Sequence, residues 1–274
     1  GGIGTPIGTP PNAIALKYLT GDAAVSFGAW MGFGVPYVLV MLFIGWRLLL
    51  WLFPIATPAI KLAIKGRFLQ TSKARLVYVT FAGTILLWLT DFLHGMNSYT
   101  VAMLPVGVFL AFGIINKDDL KKISWDVLWL VAGGIALGLG LERSGLSVHL
   151  VGEIPFAEFS PLLIFFIAAV LTMVMANFMS HTASANLLMP IIAALGVSLE
   201  SMTEIGGVKA LIIGVALSAS LGMALPISTP PNALAHATGL LETKDMAKAG
   251  VPIALIGLVL VFVTIYLMRL TGFV

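Results

Sequence analysis

Cysteine is absent from this chain, so no disulfide, thiolate metal site or thiol redox chemistry can be built. Charge is scarce as well: 10% of residues are Asp, Glu, Lys or Arg, against about 25% in a soluble domain. Such a chain lacks the polar surface to cover itself in water. No GxxxxGK[ST] run occurs, which removes the P-loop route to nucleotide-driven work. HExxH is missing too. Ser180 and His181 are adjacent, but neighbours in sequence rarely present a nucleophile and its base to each other, and no carboxylate stands nearby to orient the ring. An intramembrane enzyme therefore lacks its tools. The net charge of +3 is no nucleic-acid signal, because the basic residues sit in loops rather than on one face.

Apolar length is what the chain has. Of its 274 residues 59% are hydrophobic, with unbroken or nearly unbroken runs at 76–90, 101–115, 127–141, 161–179, 183–199 and 249–268, and another at 35–53 interrupted by Arg47. Several approach the ~20 residues that cross a bilayer as helix. They are apolar all round rather than alternating, which excludes the strands of a membrane barrel. The fold class expected is an all-α polytopic membrane protein.

Basic residues orient the spans. Arg47, Lys61, Lys65, Arg67, Lys73 and Arg75 crowd one loop, which is assigned to the cytoplasmic side. The helix before it, 24–53, then runs inward, with a kink expected at Pro36. Spans follow at 76–90, 100–115 and 127–150. Two legs, 159–179 and 183–199, are joined only by Ser180-His181-Thr182, a tight fit for two full crossings, and are read as a re-entrant hairpin. Segment 205–240 runs inward, interrupted at GMALPISTPPN, and 249–270 runs outward.

One motif occurs twice. Residues Pro6–Ala15 read PIGTPPNAIA and Pro226–Ala235 read PISTPPNALA, eight matches in ten. A second echo follows each copy: GVP at 34–36 and again at 250–252. The first GVP helix runs inward and the second outward, so the copies are inverted, the layout of many secondary transporters.

Within hydrocarbon, non-helical backbone survives only where it is buried or lines a cavity. The Gly/Pro-rich stretches 4–9 and 222–229 therefore break their spans. Thr9 and Thr229 suit an N-cap, and Pro10 and Pro230 suit the first helical position. Each motif starts a half-helix whose partial positive end can face an anion. The paired prolines remove two N–H donors, so the hydroxyls of Thr9 and Thr229 and the amides of Asn12 and Asn232 are expected to carry the hydrogen bonding. Unwound carbonyls around Gly4–Gly8 and Ala224–Ser228 are open to a cation such as Na⁺. The hairpin tip Ser180-His181-Thr182 is a third polar island.

At GTPPN (8–12), STPPN (228–232) and SHTASANLLMP (180–190) the chain resembles the divalent anion:sodium symporter family, carriers of dicarboxylates, citrate and sulfate. The resemblance implies an inverted-repeat transporter with broken helices and re-entrant hairpins, and residues before Gly1 that hold the first hairpin; the chain opens on GGIGTPIG, already inside a motif, so an N-terminal part is expected to be missing. It implies that Ser180, His181 and Thr182 meet a substrate carboxylate together with Thr9, Pro10, Thr229 and Pro230. It places Na⁺, the coupling ion, near Gly8, Asn12, Ser228 and Asn232, with no other cofactor. It divides the chain into a transport domain, 1–53 and 151–274, a basic loop, 54–75, and scaffold helices, 76–150, working as an elevator in a homodimer of the plasma (inner) membrane. The solute implied is a C4-dicarboxylate symported with Na⁺; the alternatives are a Na⁺-independent exchanger and a sulfate carrier. The family has Asn where this chain has His181. Imidazole cannot offer an oxygen to Na⁺, but protonated it brings a positive charge.

Further polar residues are weighed beside these. Lys17 is expected to snorkel to the surface rather than attract the anion, and His236 either packs as a satisfied histidine or faces the cavity. Asp91 and His94 are expected to be solvated in an outer loop.

Overall fold

The computed structural model describes the chain except residues 55–67, 124, 126–128, 130–131, 134–135, 137–139, 141–142, 147–148 and 150–157. Most of the basic loop and of the span expected at 127–150 lies outside the described residues. Every regular element among the described residues is helical. Among the described residues four helices are long and apolar enough to cross a membrane: α2 (Phe27–Leu52), α7 (Pro161–Phe178), α8 (His181–Ser198) and α11 (Thr243–Leu270).

The chain forms two compact units, one of residues 1–25, 31–54 and 126–274, the other of 26–30 and 55–125. In the smaller, α3 (Ser72–Leu89) packs against α5 (Ser98–Ala111), with the short α4 (Asp91–His94) between them in sequence and α6 (Lys117–Lys121) after them. Phe27 stacks on Trp88 with ring centroids 5.0 Å apart. Asp91 and His94 are not merely solvated: Asp91 Oδ2 accepts the Phe27 N–H at 3.0 Å, and the His94 ring donates to the Leu87 carbonyl through Nε2 and accepts from the Met96 N–H. A helix start and a turn needed those partners.

The larger unit is built around α9 (Gly207–Ala219), in which every residue from Ala210 to Ala219 is buried. A helix apolar on all sides is a core helix or a membrane span, and the burial of this one puts it in the core. The hairpin α7–α8 and the half-helix α1 (Pro10–Tyr18) pack on α9, and α1 packs on α8 as well. Glycines allow the close approaches: a side chain on Gly196 would meet Val208 at 2.9 Å, and one on Gly214 would enter the Phe165 ring. The long α2 runs unbroken past Pro36. Its most apolar window is only 6% buried in the chain, and Leu39, Phe43 and Trp51 stand exposed, a surface fit for lipid.

The two legs of the hairpin are 18 residues each, about 27 Å at 1.5 Å per residue. The joint is shorter than the three residues expected. Ser180 is already the N-cap of α8, its hydroxyl accepting from the Ala183 N–H at 3.1 Å, so His181 and Thr182 belong to the helix. Segment 205–240 is broken as expected: α9 ends at Ala219, a non-helical stretch with one 3-10 turn follows, and α10 (Pro230–Ala237) begins at the motif's prolines.

Candidate functional site

The repeated motif folds twice into the same local structure. In each copy a 3-10 turn or bend leads to an extended threonine, Thr9 at φ −150° and ψ 146° and Thr229 at φ −145° and ψ 151°. Each threonine is the N-cap of a half-helix that starts on the following proline. The asparagine of each motif then turns back. Asn12 Nδ2 donates to the carbonyls of Ile3 and Thr5 at 3.4 and 2.8 Å. Asn232 Nδ2 donates to Met223 and Leu225 at 2.9 and 3.1 Å. Shifted by 220 positions these are the same two bonds. An unwound segment has spare carbonyls, and a carboxamide two residues past the helix start can reach them.

The GVP echoes pack on the same places. A side chain on Gly34 would stand 2.9 Å from the Ile3 carbonyl oxygen, and one on Gly250 would stand 2.6 Å from the Ala224 Cα and 2.7 Å from the Met223 oxygen. Each GVP glycine thus lets the next long helix lie directly on the unwound segment of its own copy. Tyr37, after the first GVP, donates its hydroxyl to the Gly257 carbonyl at 2.9 Å, which ties α2 to α11.

A cavity of about 820 Å³ opens where these parts converge. Thr9, Ser180 and Thr229 line it. They are the N-caps of α1, α8 and α10, so three helix starts face one space. Gly8, Pro10, His181, Thr182 and Ser228 line it too. From the second copy Pro231 reaches the wall; Pro230 opens α10. Asn12 and Asn232 do not line the cavity, since their amide groups are turned onto the unwound carbonyls. Asn12 is fully buried, and its Oδ1 has no hydrogen-bond partner among the described residues. The opposite wall is apolar, made by one face of α2 that includes Val38, Met41, Leu42 and Trp46. No Lys, Arg, Asp or Glu among the described residues lines the space.

The hydroxyls differ in what they already do. Thr229 Oγ1 accepts from the Asn232 N–H at 3.3 Å and Ser180 Oγ from Ala183, and each keeps its own O–H to donate. Thr9 makes no cap bond. The first two N–H groups of α8, on His181 and Thr182, have no intrahelical acceptor by the geometry of a helix start. Hydroxyls, helix-start amides and three helix N-termini make a setting for negative charge without a formal cation.

A residue the sequence did not single out holds the second copy in place. Asn177, near the end of α7, donates to the Met173 carbonyl at 2.9 Å, accepts the Ala224 N–H on its Oδ1 at 2.9 Å, and accepts the Ser228 hydroxyl on its backbone oxygen at 3.0 Å. The available signal was a lone carboxamide in an otherwise apolar leg, since intramembrane polar groups are expensive. His181 adds a further tie, its Nε2 lying 2.5 Å from the Gly222 carbonyl. Lys17 does not snorkel: its ammonium nitrogen is buried and lies 4.9 Å from the Tyr18 ring centroid. His236 bonds the Leu241 carbonyl through Nδ1 at 2.9 Å, a local contact outside the cavity.

Known proteins resemble the chain over almost all of its length. An uncharacterized transporter of Methanocaldococcus jannaschii is 30% identical over 264 residues, covering 93% of this chain and 58% of the relative. A sodium-dependent dicarboxylate transporter, SdcS, of Staphylococcus saprophyticus is 30% identical over 295 residues, 97% of this chain and 56% of the relative. Sodium-dependent high-affinity dicarboxylate transporter 3 of Caenorhabditis elegans is 29% identical over 307 residues, 95% and 53%. The chain spans a little over half the length of these relatives. The family model described as the sodium:sulfate symporter transmembrane region matches residues 1–271. Its helices, its doubled motif and these matches agree: the chain belongs to the sodium:sulfate symporter family of integral membrane transporters, the divalent anion:sodium symporters.

Proposed function

We propose that this chain carries the anion site of a secondary transporter for small divalent anions, C4-dicarboxylates first, with Na⁺ as the coupling ion. The observation that carries the reading is the meeting of three helix N-caps, Thr9, Ser180 and Thr229, around one cavity without a charged side chain. Its volume falls within the ~300–1,000 Å³ usual for small-molecule sites. A dianion placed there gains hydroxyl and dipole contacts but finds no fixed counter-charge. In a medium of low dielectric that imbalance is costly, and co-bound cations remove it. Gly8 and Ser228 line the space, and the unpartnered buried oxygen of Asn12 is the kind of group a sodium ion satisfies. Two relatives are named as sodium-dependent dicarboxylate transporters, which supports the same pairing.

The hairpin and both broken helices belong to one compact unit, 1–25, 31–54 and 126–274. That grouping supports a transport domain of 1–53 with 151–274, although it takes in 126–150 as well. In the proposal this domain moves against the 76–150 helices of a homodimer, elevator fashion, in the plasma membrane.

The test uses full-length protein in proteoliposomes. Labelled succinate uptake is followed with an inward Na⁺ gradient, with none, and with unlabelled anion inside. Gradient-driven accumulation is the expected result. Stimulation only by internal anion would replace symport with exchange. The family description names sulfate, so a second arm adds sulfate as competitor; strong competition would move the substrate class to inorganic anions.

A further inference from the structure

The cavity offers few groups that can gain or lose a proton. Among the described side chains that line it, only His181 and Tyr37 are titratable, and the Tyr37 hydroxyl is committed to the Gly257 carbonyl. On the elements packed around the hairpin, Lys17 of α1 lies over Tyr18, Lys209 of α9 bonds the Phe273 carbonyl, and His236 of α10 bonds Leu241. None of these three lines the cavity.

The hydrogen on His181 can be placed. Its Nε2 lies 2.5 Å from the Gly222 carbonyl oxygen. A carbonyl can only accept, so Nε2 carries the hydrogen and donates. In the neutral ring Nδ1 is then a bare lone pair, and no bond to it is seen among the described residues. The first copy handles the equivalent carbonyl differently: Gly2 oxygen receives Asn12 Nδ2 at 3.2 Å, which leaves no ring at the cavity wall.

A bare lone pair on a ring at the cavity wall is the wrong group for an anion. His181 lines the cavity between Ser180 and Thr182, at the start of α8 where hydroxyls and free N–H groups draw a carboxylate in. A carboxylate against a bare nitrogen is repelled. One proton between them turns the contact into a charge-assisted hydrogen bond. We propose that His181 Nδ1 is a proton-binding site of this cavity, filled together with the anion, so that the transported dicarboxylate brings one proton in addition to its Na⁺. The proton is shared: an imidazolium facing a dianion and a neutral ring facing the half-protonated acid have the same total charge. The inference rests on the cavity being the anion site.

Purified full-length protein in weak buffer tests it directly. At a pH where free succinate is fully ionised, saturating succinate is added and the protons taken up per bound anion are counted. Wild type is expected to take up about one, because a carboxylate against the ring favours its charged form. H181N and H181Q are expected to bind succinate about tenfold more weakly, the loss of a charge-assisted bond, and to take up none when saturated. Proteoliposomes give the second readout: an inside-alkaline pH step is expected to raise succinate accumulation in wild type, and whatever uptake remains in H181N is expected to be indifferent to it. Equal proton uptake by H181N, or wild type that binds succinate without a proton, overturns the inference and leaves the anion site standing. Protein that binds no dianion under any condition overturns the anion site itself.

Discussion

The side-chain oxygen of Asn177 accepts the backbone N–H of Ala224 at 2.9 Å, while its own backbone oxygen accepts the Ser228 hydroxyl at 3.0 Å. One residue at the end of the first hairpin leg thus fixes both ends of the unwound segment that leads to Thr229. Asn177→Asp keeps an acceptor for Ala224, and Asn177→Leu does not. The leucine variant is expected to raise the KM for succinate about tenfold or more, as Thr229 loses its register, from a loss of about 1–3 kcal/mol for the orphaned N–H. The aspartate variant is expected to recover most of it. Uptake kinetics at equal protein in the vesicles check both; equal damage by the two substitutions would remove Asn177 from a positioning role.

The two motif asparagines make a parallel prediction about folding. Asn12 and Asn232 each hold two or more carbonyls of their own unwound segments. Replacing either with leucine strands those carbonyls at a cost of about 1–3 kcal/mol. Lower melting midpoints in detergent are expected for both, with the larger drop at Asn12, which is fully buried. A thermal melt of the two single variants against wild type is sufficient.

Thr9 and Thr229 look interchangeable in sequence but are not in structure. Thr229 caps its helix through its hydroxyl, whereas Thr9 makes no such bond. Thr9→Val is expected to weaken anion binding about tenfold, the usual range for losing one bond to a charged group, with no change in melting. Thr229→Val is expected to weaken binding and also lower stability by about 1 kcal/mol, the worth of a cap. Succinate titrations and melts of both variants separate the two effects; matching profiles would mean that Thr9 has a cap of its own.

The GVP glycines give a steric test. Gly250→Ala puts a methyl 2.6 Å from the Ala224 Cα, a backbone contact that has to give way, at about 1–3 kcal/mol. Gly32→Ala, on α2 with nothing within 4 Å, is expected to be neutral or to stabilise by up to ~1 kcal/mol, since alanine suits a helix interior better. Expression and melting of the pair are the measurement, and a tolerated Gly250→Ala would mean that α11 is not seated on the unwound segment.

Much of this was legible in the chain itself. Paired prolines preceded by threonine suit a helix start, and two such sites with GVP after each announced two copies of one design. The starts of α1 and α10 fell where Thr9-Pro10 and Thr229-Pro230 placed them. The direction of a side chain was not legible. Asn12 and Asn232 sit in the first turn of their helices, where an amide can face forward into a cavity or back onto the preceding loop. Spacing is the same in either case, and only the folded segment shows the carbonyls that draw it back. Asn177 was missed for a related reason: its partners are 47 and 51 residues away, and no local pattern announces them. Ser180 could have been read as a cap from its small polar side chain ahead of a helical run, which would have put His181 inside the helix from the start.

Among the described residues no Lys, Arg, Asp or Glu lines the cavity, and the consequence reaches beyond binding. A transmembrane potential does work of about 2.3 kcal/mol per elementary charge per 100 mV, and it can do that work only on charge that moves. An empty site walled by hydroxyls, backbone and a neutral ring has none to move. Under the proposed transport, the site itself therefore adds no charge to the empty crossing, and the difference in current between occupied and empty crossings reports on what travels with the anion.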